Sequence, residues 1–274
     1  MWTLFRTSLP KLSELAIPKH SKSIKASLAT LSSVSLLIGG SIIANDQSTN
    51  SLDGVSVDSS IDPFPTKISG AANHLFSTDY TLIASGVRSV TFLGFKVYGV
   101  GLYIPRKSES TVVSVVAEFL KTHPGQTPQS ILDDKAVSQD LVAELSEKVP
   151  YAMKITPVRN TDFGHLRDGL TKSILANPMA KRMREEVSSG VEQLREVFQG
   201  FRGSVPKNDT LWVVSDTKST TIAHETTAAN TFKTLGVVTE PVIAKVLLVS
   251  YLSSVKPLSE PLRKNFVGYV ENMG

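Results

Sequence analysis

Apolar residues recur along this chain with two different periods, and the switch between them lays out its elements. Tyr80 to Ala84 and Val90 to Ile104 are rich in Val, Phe, Tyr and Leu, and read as two or three strands. Such β-branched and aromatic side chains pack well on a pleated surface. In the second run Val90, Phe92, Phe95 and Val97 point one way, broken by Gly94. Gly94, Gly99 and Gly101 mark bends, bulges or places where another group comes close to the backbone. Tyr151 to Val158 alternates as a further strand. Thr210 to Ser215 and Ser219 to His224, around a turn at Asp216, read as a hairpin.

Helical spacing takes over elsewhere. Ser110 opens a helix through Val112, Val115, Val116, Phe119 and Leu120 that ends before Pro124. Residues 138–148 form a second. Thr161 or Asp162 caps a third, which carries Leu166, Leu170 and Ile174 and stops at Pro178. Residues 180–201 form the clearest amphipathic helix, and residues 259–271 close the chain. Residues 242–252, capped by Thr239 with Pro241 in the first turn, are apolar almost all round and predict a buried helix. Strands and helices in irregular succession predict an α+β fold. There is no internal repeat.

The N-terminal part reads differently. Residues 1–25 scatter basic residues among Ser, Thr and apolar positions, the composition of a mitochondrial presequence, with an unstructured tail as the alternative. Residues 26–44 hold 19 residues without a charge. As a helix they would reach about 28 Å, close to a bilayer core. They include six Ser or Thr and a Gly-Gly pair, so a single transmembrane segment stands beside a cleaved sorting segment or an extension of the presequence. Lysines before the segment and Asp46 after it put the N-terminus inside and the domain on the far side. Residues 45–66 are Ser, Asp, Asn and Gly with a Pro-x-Pro, and are expected to be a disordered linker. The globular domain is expected over 67–274.

Composition removes several function classes. The net charge of +4 belongs to the leader, where Arg6, Lys11, Lys19, Lys22 and Lys25 face one acid, Glu14. The other 229 residues carry 24 basic and 24 acidic side chains, so nothing points to nucleic acid. The absence of cysteine excludes a disulfide scaffold, an iron–sulfur centre and a thiolate nucleophile. No histidine pair has metal-ligand spacing, so no metal site is expected. Glycines 94, 99 and 101 match neither a phosphate loop nor a dinucleotide fingerprint. There is no Gly-x-Ser-x-Gly elbow.

One cation stands out. Arg88 sits inside an apolar strand run with Tyr98 and Tyr103 nearby, so it must be paired or must face a ligand. Pairing would fall to an acid such as Asp79 or Glu240. A guanidinium in a dry cleft can instead hold a carboxylate through two hydrogen bonds or stabilise a developing oxyanion.

The run from Gly86-Val-Arg88 through Phe92-Leu-Gly-Phe-Lys-Val-Tyr-Gly-Val-Gly-Leu-Tyr103, with a second patch from Arg159 to Gly169, resembles the chalcone isomerase family. Within it the chain is most similar to the fungal mitochondrial "altered inheritance of mitochondria" branch. The resemblance implies an open-faced sandwich, a curved antiparallel sheet with helices layered on one side and a ligand cleft between. It also implies that Arg88 would bind the substrate oxyanion in an enzyme, with Tyr98 where the plant enzymes have threonine. The plant tyrosine and asparagine fall at Phe163 and Leu170, and a late-helix threonine at Ser250 or Tyr251. Cation kept and hydroxyls lost, the site is expected to bind without cyclising chalcone.

The expected ligand is apolar and anionic, haem first and a fatty acid second. Arg88, Tyr98, Tyr103, Ser250 and Tyr251 are the ligand-binding candidates. His165 or His224 are the possible haem axial ligands, since the branch is associated with haem. Two rival functions stay open: an isomerase of the intramolecular-lyase type using Arg88 and Tyr98, and a non-catalytic scaffold with a vestigial pocket. The leader and apolar segment together place the chain in the mitochondrion, at the inner membrane with the domain in the intermembrane space.

Overall fold

A computed structural model describes residues 54–71, 74–90 and 94–273. The presequence and apolar segment expected over 1–44 lie outside the described residues, as do residues 91–93.

Seven strands form one antiparallel sheet in chain order: β1 (Lys67–Ile68), β2 (Tyr80–Val90), β3 (Phe95–Pro105), β4 (Tyr151–Pro157), β5 (Thr210–Ser215), β6 (Thr220–Thr226) and β7 (Thr231–Val238). Neighbours in sequence are neighbours in the sheet throughout. The long β2–β3 hairpin is the axis of this meander, and Gly94 at its tip has φ +66°, a left-handed value that a glycine adopts at no steric cost. Its ladder slips once between Leu82 and Ala84 and again between Arg88 and Ser89. Such bulges bend a strand and re-aim its side chains. Strand β7, which the sequence reading leaves out, has only Leu235 and Val238 buried, so its apolar pattern is thin.

The helices enter as inserts. Between β3 and β4 come α1 (Glu109–Lys121), α2 (Pro128–Asp133) and α3 (Val137–Lys148). Between β4 and β5 come α4 (Phe163–Ala176), α5 (Pro178–Arg182) and α6 (Arg184–Val197); α7 (Val242–Leu252) and α8 (Glu260–Glu271) end the chain. The helix expected over 180–201 is interrupted at Met183, whose φ −114° and ψ 50° leave the helical region. Helix α7 is buried at every position except Lys245, which pairs with Glu147. Thr239 does not cap it; its backbone N–H and hydroxyl both bond Gln193 Oε1 on α6.

One face of the sheet packs Val100, Leu102, Ile104, Met153, Ile155, Leu211, Val213 and Ile222 against these helices. Helix α8 also serves the edge of β2, which β1 is too short to cover: Ser259 Oγ donates to the Val87 carbonyl and Asn265 Nδ2 to that of Ser85. A Cβ on Gly86 would come within 2.4 Å of the Leu262 backbone nitrogen, so this crossing requires glycine.

The opposite face corrects the expected linker. From Gly54 onward the chain is folded, with Gly54–Val55 pairing antiparallel to Phe64–Pro65. Phe64 is fully buried over Gly101, where a Cβ would meet its ring at 2.8 Å. Those strand glycines are the places where another group approaches the backbone. Lys154, held by Thr210 and Glu225, lies over the rings of Phe64 and Trp212. Burial pulls its ammonium below the ordinary value, against the attraction of Glu225. Ile61 and Phe64 are the buried apolar residues of this polar segment, and the strand glycines leave room for them.

Asp58 pins this cover to the hairpin. It accepts from Lys96 Nζ at 2.7 Å and from the backbone N–H of Ser60 at 2.9 Å. Lys96, and then Ser60, hold its carboxyl down at about 2. The folded value lies below the ordinary carboxylate value near 4. The stabilisation is therefore complete above about pH 4 and is lost as the pH falls toward 2. NMR signals of residues 54–66 are expected to move toward unfolded positions across that window, ahead of those of the sheet. In Asp58→Asn the same shift is expected at neutral pH.

Candidate functional site

A cavity of about 800 Å³ lies between the sheet and α4. Its floor comes from β2 to β5 and includes Arg88, Val97, Tyr98, Ile155 and Leu211. Leu166 and Leu170 of α4 supply the apolar roof. Asp162 caps α4 by accepting from the His165 N–H at 2.8 Å, which fixes where that helix starts over the sheet.

Arg88 and Tyr98 are paired directly across β2 and β3, beside the second ladder slip. Arg88 Nη1 donates to the Tyr98 hydroxyl at 2.6 Å and to Ser173 Oγ at 2.9 Å. Ser173 Oγ in turn donates to the Gly169 carbonyl, and Tyr98 shares a 2.6 Å hydroxyl–hydroxyl bond with Tyr251. Among the described residues no carboxylate forms an ion pair with Arg88, neither Asp79 nor Glu240. Burial disfavours its charge, but the two phenols more than offset this and its pKa lies above the ordinary value. The half-buried guanidinium is therefore a cation solvated by neutral hydroxyls. Burial, and then the neighbouring Tyr98, push the Tyr251 phenol well up, so it stays protonated and can either donate to or accept from Tyr98.

A family profile described as "Chalcone isomerase like" matches residues 78–267. The chain belongs to the chalcone isomerase-like family. Curated relatives agree: a Debaryomyces hansenii protein named Altered inheritance of mitochondria protein 18, mitochondrial, is 47% identical over 216 residues, 77% of this chain and 73% of its own. The Saccharomyces cerevisiae protein of that name is 30% identical over 288 residues, covering 97% and 89%. Among solved structures, an Arabidopsis thaliana fatty-acid binding protein superposes with a TM-score of 0.54 at 16% identity, over 80% of this chain and 98% of that one. At that identity the likeness shows the shared fold alone, a chalcone isomerase-like curled antiparallel sheet with helices.

Within this chalcone isomerase-like domain the expected site residues separate into three groups. Arg88, Tyr98 and Leu170 line the cavity, and Tyr251 reaches it through Tyr98. His165 stands on the rim, exposed, with Nδ1 on Asp162. Tyr103, Ser250, His224 and Phe163 are elsewhere. Tyr103 is five residues from Tyr98, an odd number, so it points to the other face of the strand and donates to the Pro65 carbonyl at 3.0 Å. Ser250 faces Asn177, which donates to its Oγ at 2.7 Å and ties α7 to the α4–α5 junction. His224 lies under the Phe163 ring, with Nε2 at 3.2 Å from Asp209. Phe163 also packs on Phe201.

Ser173 is the polar contact that the sequence reading missed. It follows Leu166 and Leu170 at steps of four and three, so the same helical stripe that predicts the roof carries it. The rim also brings in Arg159, whose guanidinium stacks 3.7 Å from the Phe95 ring centroid and donates to the Lys96 carbonyl.

Proposed function

We propose that this domain binds a long-chain monocarboxylic acid, with the carboxylate on Arg88 and Tyr98 and the chain against Val97, Ile155, Leu166, Leu170 and Leu211. The observation that carries the reading is a cation inside an apolar cavity whose polar contacts are neutral hydroxyls. A guest carboxylate supplies the missing negative charge, and charge-assisted hydrogen bonds in such surroundings are strong. If Tyr251 donates to Tyr98, the Tyr98 hydroxyl keeps its own proton for the guest. A cavity of about 800 Å³ is of the size that small-molecule sites take. The printed description of the Arabidopsis neighbour as a fatty-acid binding protein supports the ligand class.

We rank a fatty acid ahead of haem, the reverse of the order expected from the sequence, and the placement of the histidines supports this. His165 is the histidine on the lining, at an exposed rim with one ring nitrogen already tied to Asp162. His224 and Tyr103 do not line the cavity. The donors present fit a carboxylate better than a haem iron. Chalcone cyclisation is not proposed, since apolar Phe163 and Leu170 stand where the resemblance puts the plant phenol and amide, in that order.

The test compares head groups on one chain length. Calorimetric titration is expected to show a fatty acid binding at least about 30-fold more tightly than the matching primary alcohol. Equal affinities would mean that Arg88 holds no acid. A shifted Soret band on adding hemin, with no fatty-acid heat, would restore haem to first place, and flavanone formation from a chalcone would restore the isomerase.

The setting follows from the leader and the names of the relatives, which are mitochondrial. We place the chain in the mitochondrion, attached to the inner membrane through residues 26–44 with the domain in the intermembrane space. Among the described residues no helix is long and apolar enough to cross a membrane, and residues 26–44 lie outside them.

A further inference from the structure

The mouth of the cavity differs from its interior in how its charges are arranged. Each acid on the rim has a partner: Asp162 holds His165, and Asp168 holds Arg167. Two rim cations, Arg159 and Lys172, have no acid partner among the described residues. Beside them the hairpin end exposes two large apolar side chains, Val90 at 37% and Phe95 at 52%. The Arg159 guanidinium sits over the Phe95 ring, so cation and ring form one unit at the opening.

From this juxtaposition we infer that the cavity mouth docks on an anionic lipid surface, with Phe95 and Val90 entering the headgroup region and Arg159 and Lys172 meeting lipid phosphates. Exposed apolar groups flanked by unpaired cations are what an anionic interface retains, because burial and charge attraction act together. The two unpaired cations beside the apolar pair favour an anionic bilayer, which offers negative charge and apolar burial across the whole contact. Docking there would let an apolar acid pass between bilayer and cavity without crossing water. That purpose rests on the fatty-acid reading, whereas the surface itself does not.

The chain contains no cysteine, so a single introduced thiol labels one position. Val90→Cys is compared with Val237→Cys, since Val237 is also an exposed valine, at 48%, but lies on β7 at the far edge of the sheet. Each full-length variant, carrying an environment-sensitive fluorophore, is reconstituted into phosphatidylcholine vesicles with or without about 30% phosphatidylglycerol, in the absence of any fatty acid. The label at position 90 is expected to turn blue and to be shielded from iodide in the anionic vesicles, while the label at 237 stays accessible. Each cation near an anionic surface contributes about fivefold in partitioning, so reversing both with Arg159→Glu and Lys172→Glu is expected to abolish the shielding, as is high salt.

Equal accessibility at 90 and 237 overturns the proposal. So does equal shielding in uncharged vesicles, or shielding that survives charge reversal. Because no fatty acid is present, this outcome is independent of the head-group titration, and either reading can fail alone.

Discussion

Arg88→Ala is expected to weaken fatty-acid binding by about 100-fold or more while leaving the melting temperature unchanged or slightly raised. The affinity loss corresponds to roughly 3 kcal/mol, the scale for removing one partner of a hydrogen-bonded charge pair inside an interface. The stability side has a separate cause. The cost of burying the cation and its favourable contacts with the two phenols nearly cancel, and its hydroxyl neighbours do not depend on it. Ser173 keeps the Gly169 carbonyl, and Tyr98 keeps Tyr251. Arg88→Lys retains the charge but loses the fork, and is expected to bind about tenfold more weakly than the parent. Calorimetric titration and thermal melts on the same preparations check both halves. A sharp drop in melting temperature with unchanged affinity would make Arg88 a structural residue and sink the ligand reading.

Phe64→Ala is expected to have the largest effect on stability. Its ring is fully buried against Gly99 and Gly101, and truncating such a phenylalanine costs about 3–5 kcal/mol because the strand glycines cannot fill the void. For a domain of this size that lowers the melting temperature by roughly 10 °C. Lys154 would lose one of the two rings that cover it and keep Trp212. A melt within 2 °C or so of the parent would show that residues 54–66 cover the sheet without stabilising it.

Most of the long elements were legible because burial and periodicity agree in them. The stripes of α1, α3, α4 and α7 face one core, and the β2–β3 hairpin could be found from its β-branched and aromatic residues. Failures came where few residues carry the burial. Ile61 and Phe64 anchor a segment dominated by Ser, Asp and Pro, so composition there predicts disorder. The room they occupy is made by Gly99 and Gly101 some forty residues away, which no local window sees.

The site shows the same division. Arg88 could be singled out because a lone cation in an apolar run needs an explanation, and the Tyr98 pairing follows from the hairpin. Strand parity turns Tyr103 away from Tyr98, and that parity is readable from the sequence. Ser250 and Tyr251 are adjacent on a helix that is buried all round, so nothing in their spacing says which one faces Tyr98. Ser173 lies within the stripe of α4, beside Ile174, but a lone serine there carries no signal that it faces Arg88. Arg159 lay within the second recognisable patch, but its stacking on Phe95 depends on a contact between separate strands and loops.

Because every strand of the meander lies beside its neighbour in the chain, the roof of the cavity hangs from the sheet as one replaceable segment between β4 and β5. Residues 158–209 could be exchanged for another helical insert without disturbing a single pairing among β1, β2, β3 and β4. In the fatty-acid reading, Arg88 and Tyr98 lie in the half that would be kept, and the roof that would shape the ligand lies in the half that would be exchanged. A chain built this way could change its ligand while its folding problem stays solved.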